Sequence, residues 1–251
     1  MNRNQAIGIF DSGIGGVTVL KEILKVLPNE RYIYYSDSKN NPYGDKSAKE
    51  INDLCENIVN LFLRKNCKTI VIACNTASVN AEILRKKYKN IPFIAIEPAY
   101  KMVYDYAYYD QTLVMATKGT IENEKFKLLF QKYNNYKTIL FPCVGLADII
   151  EQGNKDSIKS YLKVHLEQYK GKIKNVVLGC THYPLIKKEI QEVLGQVKFF
   201  DGAPYLAKHL KKSLNENNLL CEDTHIENKI QFIDSSNDEQ KKKRFFKLIN
   251  E

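Results

Sequence analysis

The sequence predicts an α/β chain with largely parallel sheets, built from two similar halves. Three observations predict it. Short β-rich runs alternate with helical patterns along most of the chain, and the alternation restarts after Ile96. Two cysteines that close strands, Cys74 and Cys180, stand 106 residues apart, and Asp11 and Thr117, which close two other strands, have the same spacing. An internal duplication accounts for all three: two α/β domains, each with a cysteine at the carboxyl end of a strand, where open α/β sheets place ligands. Packed mouth to mouth, such domains would set the two thiols on either side of one cleft, the expected active site.

The elements follow in order. Ala6–Phe10 reads as a buried strand and Val17–Val26 as the helix after it. Tyr32–Tyr35 is a second strand. Ile51, Leu54, Cys55, Ile58 and Phe62 recur at helical spacing and form one apolar stripe, which makes Cys55 a core residue. Thr69–Ala73 is a strand, Ala77–Tyr88 a helix and Pro92–Ile96 a strand. The second half repeats the theme: strand Thr112–Ala116, a helix around Asn123–Tyr133, strand Thr138–Phe141, a helix near Ser157–Gln168 and strand Asn175–Gly179. A further helix is expected to begin at Pro184, with Ile186, Ile190, Val193 and Leu194 as its apolar face and Gly195 as its stop.

Composition narrows the function classes. Hydrophobic residues make up 44% of the 251 and charged residues 27%, the balance of a globular protein. No apolar run approaches the roughly 20 residues a membrane helix needs. The five mostly apolar residues after Gln5 are too few for a signal-peptide core, so a cytoplasmic protein with no membrane partner is expected. The cysteines Cys55, Cys67, Cys74, Cys143, Cys180 and Cys221 contain no C-x-x-C pair, which argues against a zinc ribbon or redox motif. The net charge of +9 is spread along the chain, with one dense run, Lys241-Lys242-Lys243-Arg244, in the expected last helix. Without a zinc-finger or RNP-type signature this reads as a solvated surface, and no nucleic-acid partner is expected.

The strand-end motifs carry the chemistry. Asp11-Ser12-Gly13-Ile14-Gly15-Gly16 joins a strand to a helix, and its N–H groups suit a carboxylate or small phosphate. It is not a dinucleotide fingerprint, since the third glycine would fall at Thr18. The plain alternative is a tight turn with Asp11 as its cap. Cys74 is followed by Asn75, Thr76 and Ser78, and Cys180 by Thr181 and His182. A Cys-x-His pair also suits a metal fragment or half of a cysteine hydrolase site. The first lacks its other ligands, and the second leaves Cys74 without a purpose. Two facing thiols suit a reaction that removes a proton from one face of a carbon and returns one to the other face. That geometry requires no electron-sink cofactor, and no pyridoxal-phosphate signature is evident.

At these residues the chain resembles glutamate racemase, of the aspartate/glutamate racemase family. The resemblance is carried by Gly8-Ile9-Phe10-Asp11-Ser12-Gly13-Ile14-Gly15-Gly16, Asn41-Pro42-Tyr43-Gly44, Ala73-Cys74-Asn75-Thr76-Ala77-Ser78 and Gly179-Cys180-Thr181-His182-Tyr183-Pro184-Leu185. It implies cofactor-independent interconversion of L- and D-glutamate, the D-isomer serving peptidoglycan synthesis. Cys74 and Cys180 would be the two bases. Asp11 would assist Cys74, and His182 and Glu151 would assist Cys180. Asp37 would have a weaker assisting role. Asp11, Ser12, Tyr43, Gly44, Asn75, Thr76, Thr117, Thr120, Thr181 and His182 would hold the substrate. The implied fold is two Rossmann-like α/β domains, residues 1–97 with 208–251 and residues 98–207, and the implied assembly is a homodimer. Two departures stand out: Ser36 where glycine is usual, and Val144-Gly145-Leu146-Ala147-Asp148 without the usual proline and bulky apolar residues. On its own sequence context Glu151 reads as an exposed helix-end residue. Rival readings are a racemase for aspartate or another amino acid, or a basic binding protein on the same fold without turnover.

Overall fold

The structure, a computed structural model, describes residues 2–134, 136–223 and 229–251. It separates into two compact units, Met1–Ile96 with Ala203–Glu251, and Glu97–Gly202.

In the first unit β1 (Ile7–Asp11), α1 (Val17–Val26), β2 (Tyr32–Ser36), α2 (Ala48–Arg64), β3 (Thr69–Ile72), α3 (Ala81–Lys87) and β4 (Phe93–Ala95) alternate as the patterning predicts. Ser47 starts α2 with a capping box: its hydroxyl accepts from the Glu50 N–H, and the Glu50 carboxylate accepts from the Ser47 N–H. The stripe of Ile51, Cys55, Ile58 and Phe62 is buried against Phe10, Ile70 and Ile72 of the sheet. Cys55 is a core residue, fully buried. The expected helix Ala77–Tyr88 instead opens as a 3-10 turn over Ala77–Asn80 before α3 begins.

The second unit runs α4 (Tyr100–Tyr106), β5 (Thr112–Ala116), α5 (Lys118–Glu122), α6 (Glu124–Tyr133), β6 (Thr138–Pro142), α7 (Leu146–Gln152), α8 (Lys155–Leu166), β7 (Asn175–Gly179), α9 (Lys187–Leu194) and β8 (Lys198–Asp201). Pro184 does not begin α9. It lies in a 3-10 turn, Tyr183–Ile186, and the α-helix starts at Lys187. Gly195 ends that helix at φ 86°.

The chain then returns to the first unit as α10 (Ala203–Glu216), β9 (Ile230–Asp234) and α11 (Glu239–Asn250). α10 packs on α1. β9 pairs in parallel with β2 and stacks Phe232 against Tyr34 and Phe245. Beneath the amino end of β3, the buried Lys68 ammonium donates to Glu30, at 2.5 Å, and to the Leu219 carbonyl, at 2.8 Å. Glu30 in turn accepts from the Cys221 N–H, so this buried pair ties the returning segment to the sheet.

Both sheets are parallel, in the orders β4-β3-β1-β2-β9 and β6-β5-β7-β8. The strands β2-β1-β3-β4 and β6-β5-β7-β8 therefore share one order, which is the duplication the sequence predicts. The registers refine its spacing. Tyr32 and Thr69 flank Ile7, whereas Thr138 and Asn175, each 106 residues on, flank Thr112, 105 residues on. Ala116, not Thr117, is thus the counterpart of Asp11, while Cys74 and Cys180 remain equivalent. In each unit the order reverses between the first and third strands. A ligand crevice forms beside such a reversal, and each cysteine stands there.

Candidate active site

In the first unit Cys74 follows β3, beside the end of β1. Its thiol lies 3.5 Å from the Ala77 N–H, which donates to it, and 3.7 Å from the Ser12 hydroxyl. The 3-10 turn after Cys74 aims that N–H back at the sulfur, and an N–H aimed at sulfur favours negative charge there. The glycine-rich loop is filled from within: the Asp11 carboxylate accepts from the N–H groups of Gly13, at 3.3 Å, and Gly16, at 3.0 Å. The anion expected in this loop is therefore Asp11's own carboxylate, which is fully buried. Gly16 is required by close approach, since a Cβ there would stand 2.6 Å from the Tyr34 hydroxyl and 2.8 Å from the Asp11 Cβ.

Asp37 ends the β2 side of this site, buried, and accepts from the Tyr43 hydroxyl at 2.5 Å and from the Asn40 side-chain amide at 3.0 and 3.1 Å. Burial first, then the neighbouring Asp37 carboxylate, pushes the Tyr43 phenol well up, so it stays a donor. Tyr43 shares a core cluster with Cys74, and Gly44 follows it in a half-buried turn. Asn75 and Thr76 are buried beside the thiol, and the Asn75 side-chain carbonyl oxygen has no hydrogen-bond partner.

In the second unit Cys180 follows β7. The strand's last residue, Gly179, has no room for a side chain: a Cβ would meet the Ala116 Cβ at 2.8 Å and the Met115 carbonyl at 3.0 Å. The Cys180 sulfur lies 3.7 Å from His182 Nδ1, and His182 Nε2 lies 2.7 Å from Glu151 Oε2. All three side chains are buried. Glu151 is thus not an exposed helix end. α7 buries it beside Ile150 while Gly145 and Gly153 close the helix at either end. Burial opposes a charged His182, but its hydrogen bonds with Cys180 and Glu151 outweigh that and hold its pKa well above the usual histidine value. The site therefore sets an imidazole between a thiol and a carboxylate.

Thr181 is buried next to Cys180. Thr117 caps α5, its hydroxyl accepting from the Thr120 N–H at 3.1 Å and donating to the Thr120 hydroxyl at 2.9 Å. Sequence reasoning missed Asn40 as the partner of Asp37. Its only signal is a polar side chain three residues on, in the 3-10 turn Ser38–Asn40. Among the described residues no group of three or more His, Cys, Asp and Glu side chains is placed to hold a metal ion, and no helix is long and apolar enough to cross a membrane. A depression of about 460 Å³, lined by Lys89, Asn90, Ile91, Pro92, Asn217 and Leu219, lies at the amino ends of β3 and β4, opposite the end that carries Cys74.

Two parallel α/β units, each with a buried thiol beside its strand-order reversal and polar groups within reach of that thiol, define the class of protein to which the comparisons then assign the chain. The chain belongs to the Asp/Glu/hydantoin racemase family, whose model matches residues 7–210. It is 45% identical over 226 residues to a protein of Clostridium perfringens named glutamate racemase, covering 88% of this chain and 87% of that one. The glutamate racemase of Francisella tularensis, solved in complex with D-glutamate, superposes with a TM-score of 0.83 at 31% identity, over 99% of this chain and 95% of that one. That of Escherichia coli, solved with L-glutamate and the activator UDP-MurNAc-ala, superposes with a TM-score of 0.86 at 26% identity, over 97% and 95%.

Proposed function

We propose that this protein interconverts L- and D-glutamate by two-base proton transfer between Cys74 and Cys180, without a cofactor. The observation that carries the reading is the pair of buried thiols at equivalent strand ends of two like units, each within reach of its own polar partners. Relatives bearing the name, and family structures holding either enantiomer of glutamate, supply the substrate.

The reading requires the thiols to address opposite faces of the α-carbon. One thiolate takes the α-proton: the Cα–H bond breaks, an S–H bond forms, and the electron pair spreads into the adjoining carboxylate. The opposite thiol then gives its proton to the other face, and the stereocentre is inverted. The proton inventory is unchanged, with the two sulfurs exchanging protonation states. His182, backed by Glu151, steadies the charge at Cys180 as it alternates. Asp11 serves the Cys74 side by organising the loop that carries Ser12, and Asp37 by holding the Tyr43 hydroxyl. Ser12, Tyr43, Gly44, Asn75, Thr76, Thr117, Thr120, Thr181 and His182 hold the substrate's charged groups. The unpaired Asn75 oxygen is an acceptor suited to its ammonium. On this reading the enzyme works in the cytoplasm as a homodimer and feeds D-glutamate to peptidoglycan synthesis.

The test is circular dichroism of L-glutamate with the purified protein in D₂O and no added cofactor. Loss of optical activity with deuterium at the α-carbon is expected. Activity on aspartate and not on glutamate would keep the mechanism and replace the substrate. Inertness toward both, with free thiols, overturns the reading.

A further inference from the structure

The first sheet has a strand that the second lacks. β9 lies outside β2, whereas the second sheet stops at β6, the counterpart of β2. β9 brings Asp234 level with Ser36, the residue just before Asp37. Asp234 is buried, and its carboxylate collects donors from two directions. Oδ2 accepts from the N–H groups of Ser236 and Asp238, both at 3.1 Å, and from the Ser236 hydroxyl. Oδ1 accepts from the Ser38 hydroxyl. With the Ser38 proton committed to Asp234, the Ser36 hydroxyl donates to Ser38 at 2.9 Å. Burial opposes a charge at Asp234, but the hydroxyls of Ser236 and Ser38 outweigh it and hold the carboxyl below its usual pKa, so it remains an acceptor.

Ser38 opens the 3-10 turn Ser38–Asn40, too short to hold its shape by its own backbone bonds. The Asp37 carboxylate caps none of its N–H groups and faces the Asn40 amide and the Tyr43 hydroxyl instead. The turn is fastened to the returning segment: Ser38 to Asp234, the Lys39 N–H to the Ser235 hydroxyl at 2.8 Å, and the Ser235 N–H to the Ser36 carbonyl at 2.9 Å. At its far end the turn delivers Asn40, whose side-chain amide donates to both Asp37 oxygens at 3.0 and 3.1 Å. Asp37 in turn fixes the Tyr43 hydroxyl at 2.5 Å, and Tyr43 shares a core cluster with Cys74. Every link from Asp234 to Tyr43 is thus a hydrogen bond or one short turn of backbone. Ser36 belongs to the same chain, since the glycine usual in the family at this position has no hydroxyl to offer Ser38.

We propose that Asp234 and Ser38 are positioning residues for the Cys74 side of the site: together they seat the turn whose Asn40 orients the Asp37 carboxylate toward Tyr43. The proposal rests on the two-thiol racemase reading, in which Tyr43 and Gly44 hold the substrate. An Asp37 gripped by Asn40 offers one oxygen to the phenol in a fixed direction. With the turn loosened, the amide leaves Asp37, the carboxylate is free to rotate, and Tyr43 and Gly44 lose the anchor that sets their place. Asp234 and Ser38 act on the substrate only through this chain, so breaking it weakens ground-state and transition-state binding alike. Among the described residues the second unit has no strand outside β6, so this support belongs to the Cys74 side alone.

Ser38→Ala cuts the chain and leaves the Ser236 and Asp238 bonds to Asp234 in place. KM for glutamate is expected to rise roughly two- to tenfold, the worth of one hydrogen bond, with kcat within about twofold of the wild type. Ser38→Thr keeps a hydroxyl and should restore KM. Asn40→Ala should raise KM as well, and the double variant Ser38→Ala with Asn40→Ala should be no worse than Asn40→Ala alone, because the two act in series. An unchanged KM in Ser38→Ala or Asn40→Ala, equal KM in the Ala and Thr variants at Ser38, a loss confined to kcat, or a double variant whose losses multiply overturns the proposal, while wild-type turnover leaves the racemase reading standing. A wild-type protein inert toward both glutamate enantiomers overturns the racemase reading and this one with it.

Discussion

Cys74 and Cys180 close equivalent strands at equivalent positions, yet their surroundings differ in kind. Cys180 has an imidazole at 3.7 Å, backed by a carboxylate at 2.7 Å from the ring. Cys74 has a hydroxyl at 3.7 Å and a backbone N–H at 3.5 Å, and Thr76 stands where the second unit has His182. The first unit's carboxylates also bond outside the thiol, Asp11 to the Gly13 and Gly16 N–H groups and Asp37 to Tyr43 and Asn40. The duplication thus preserved the place of the thiol and not its means of support. A strand end fixes where a reactive atom sits, whereas its proton partners come from loops and helices that each unit draws on separately.

Four experiments break or sharpen the comparison. Cys74→Ser and Cys180→Ser should each lower racemisation by about 10³-fold or more, since each direction uses both groups. Substantial turnover by either would mean the two thiols are not a pair. His182→Asn should lower kcat by roughly 10²-fold, and Ser12→Ala by less than tenfold; equal losses would show that the two sides lean on their partners alike. Glu151→Gln removes one of the groups that raise the His182 pKa, so the histidine should lose its proton at lower pH. Histidine NMR would detect this, together with an alkaline limb of the rate profile shifted downward. The linked stability has the same sign: it is fully present below about pH 6.5 and is lost as pH rises through the raised folded value. The Gln variant should show a smaller decline over that window. Last, Gly16→Ala and Gly179→Ala should each cost roughly 1–3 kcal/mol in chemical denaturation, because both sites are packed against backbone or Cβ atoms. A neutral result at one of them would mark that unit as the looser.

Strands were the most legible part of the fold. Thr112–Ala116 and Asn175–Gly179 coincide with β5 and β7, because buried parallel strands are continuous apolar runs. Starts of helices after the cysteines were less so. The turns at Ala77 and Tyr183 begin as 3-10, a difference in hydrogen bonding that apolar spacing does not encode. β8 and β9 are not legible because neither is a continuous buried run: each has a single fully buried position. At the site, the cysteines and His182 could be read from local motifs. The burial of Glu151 could not, because it depends on α7 packing beside a turn 31 residues further along the chain. The commitment of Asp11 to Gly13 and Gly16 was foreshadowed only as a capped tight turn.

The return of residues 203–251 to the first unit has a consequence for the order of assembly. Residues 97–202 form a contiguous unit, so all of its strands and helices are made before residues 203–251. The first unit, though begun earlier, waits for α10 to pack on α1 and for β9 to pair the open edge of β2. Its buried Lys68 and Glu30 likewise lack the Leu219 carbonyl and the Cys221 N–H until then. The half that carries Cys180 is therefore complete in sequence before the half that carries Cys74, and the nascent chain holds the edge of β2 unpaired until β9 is made.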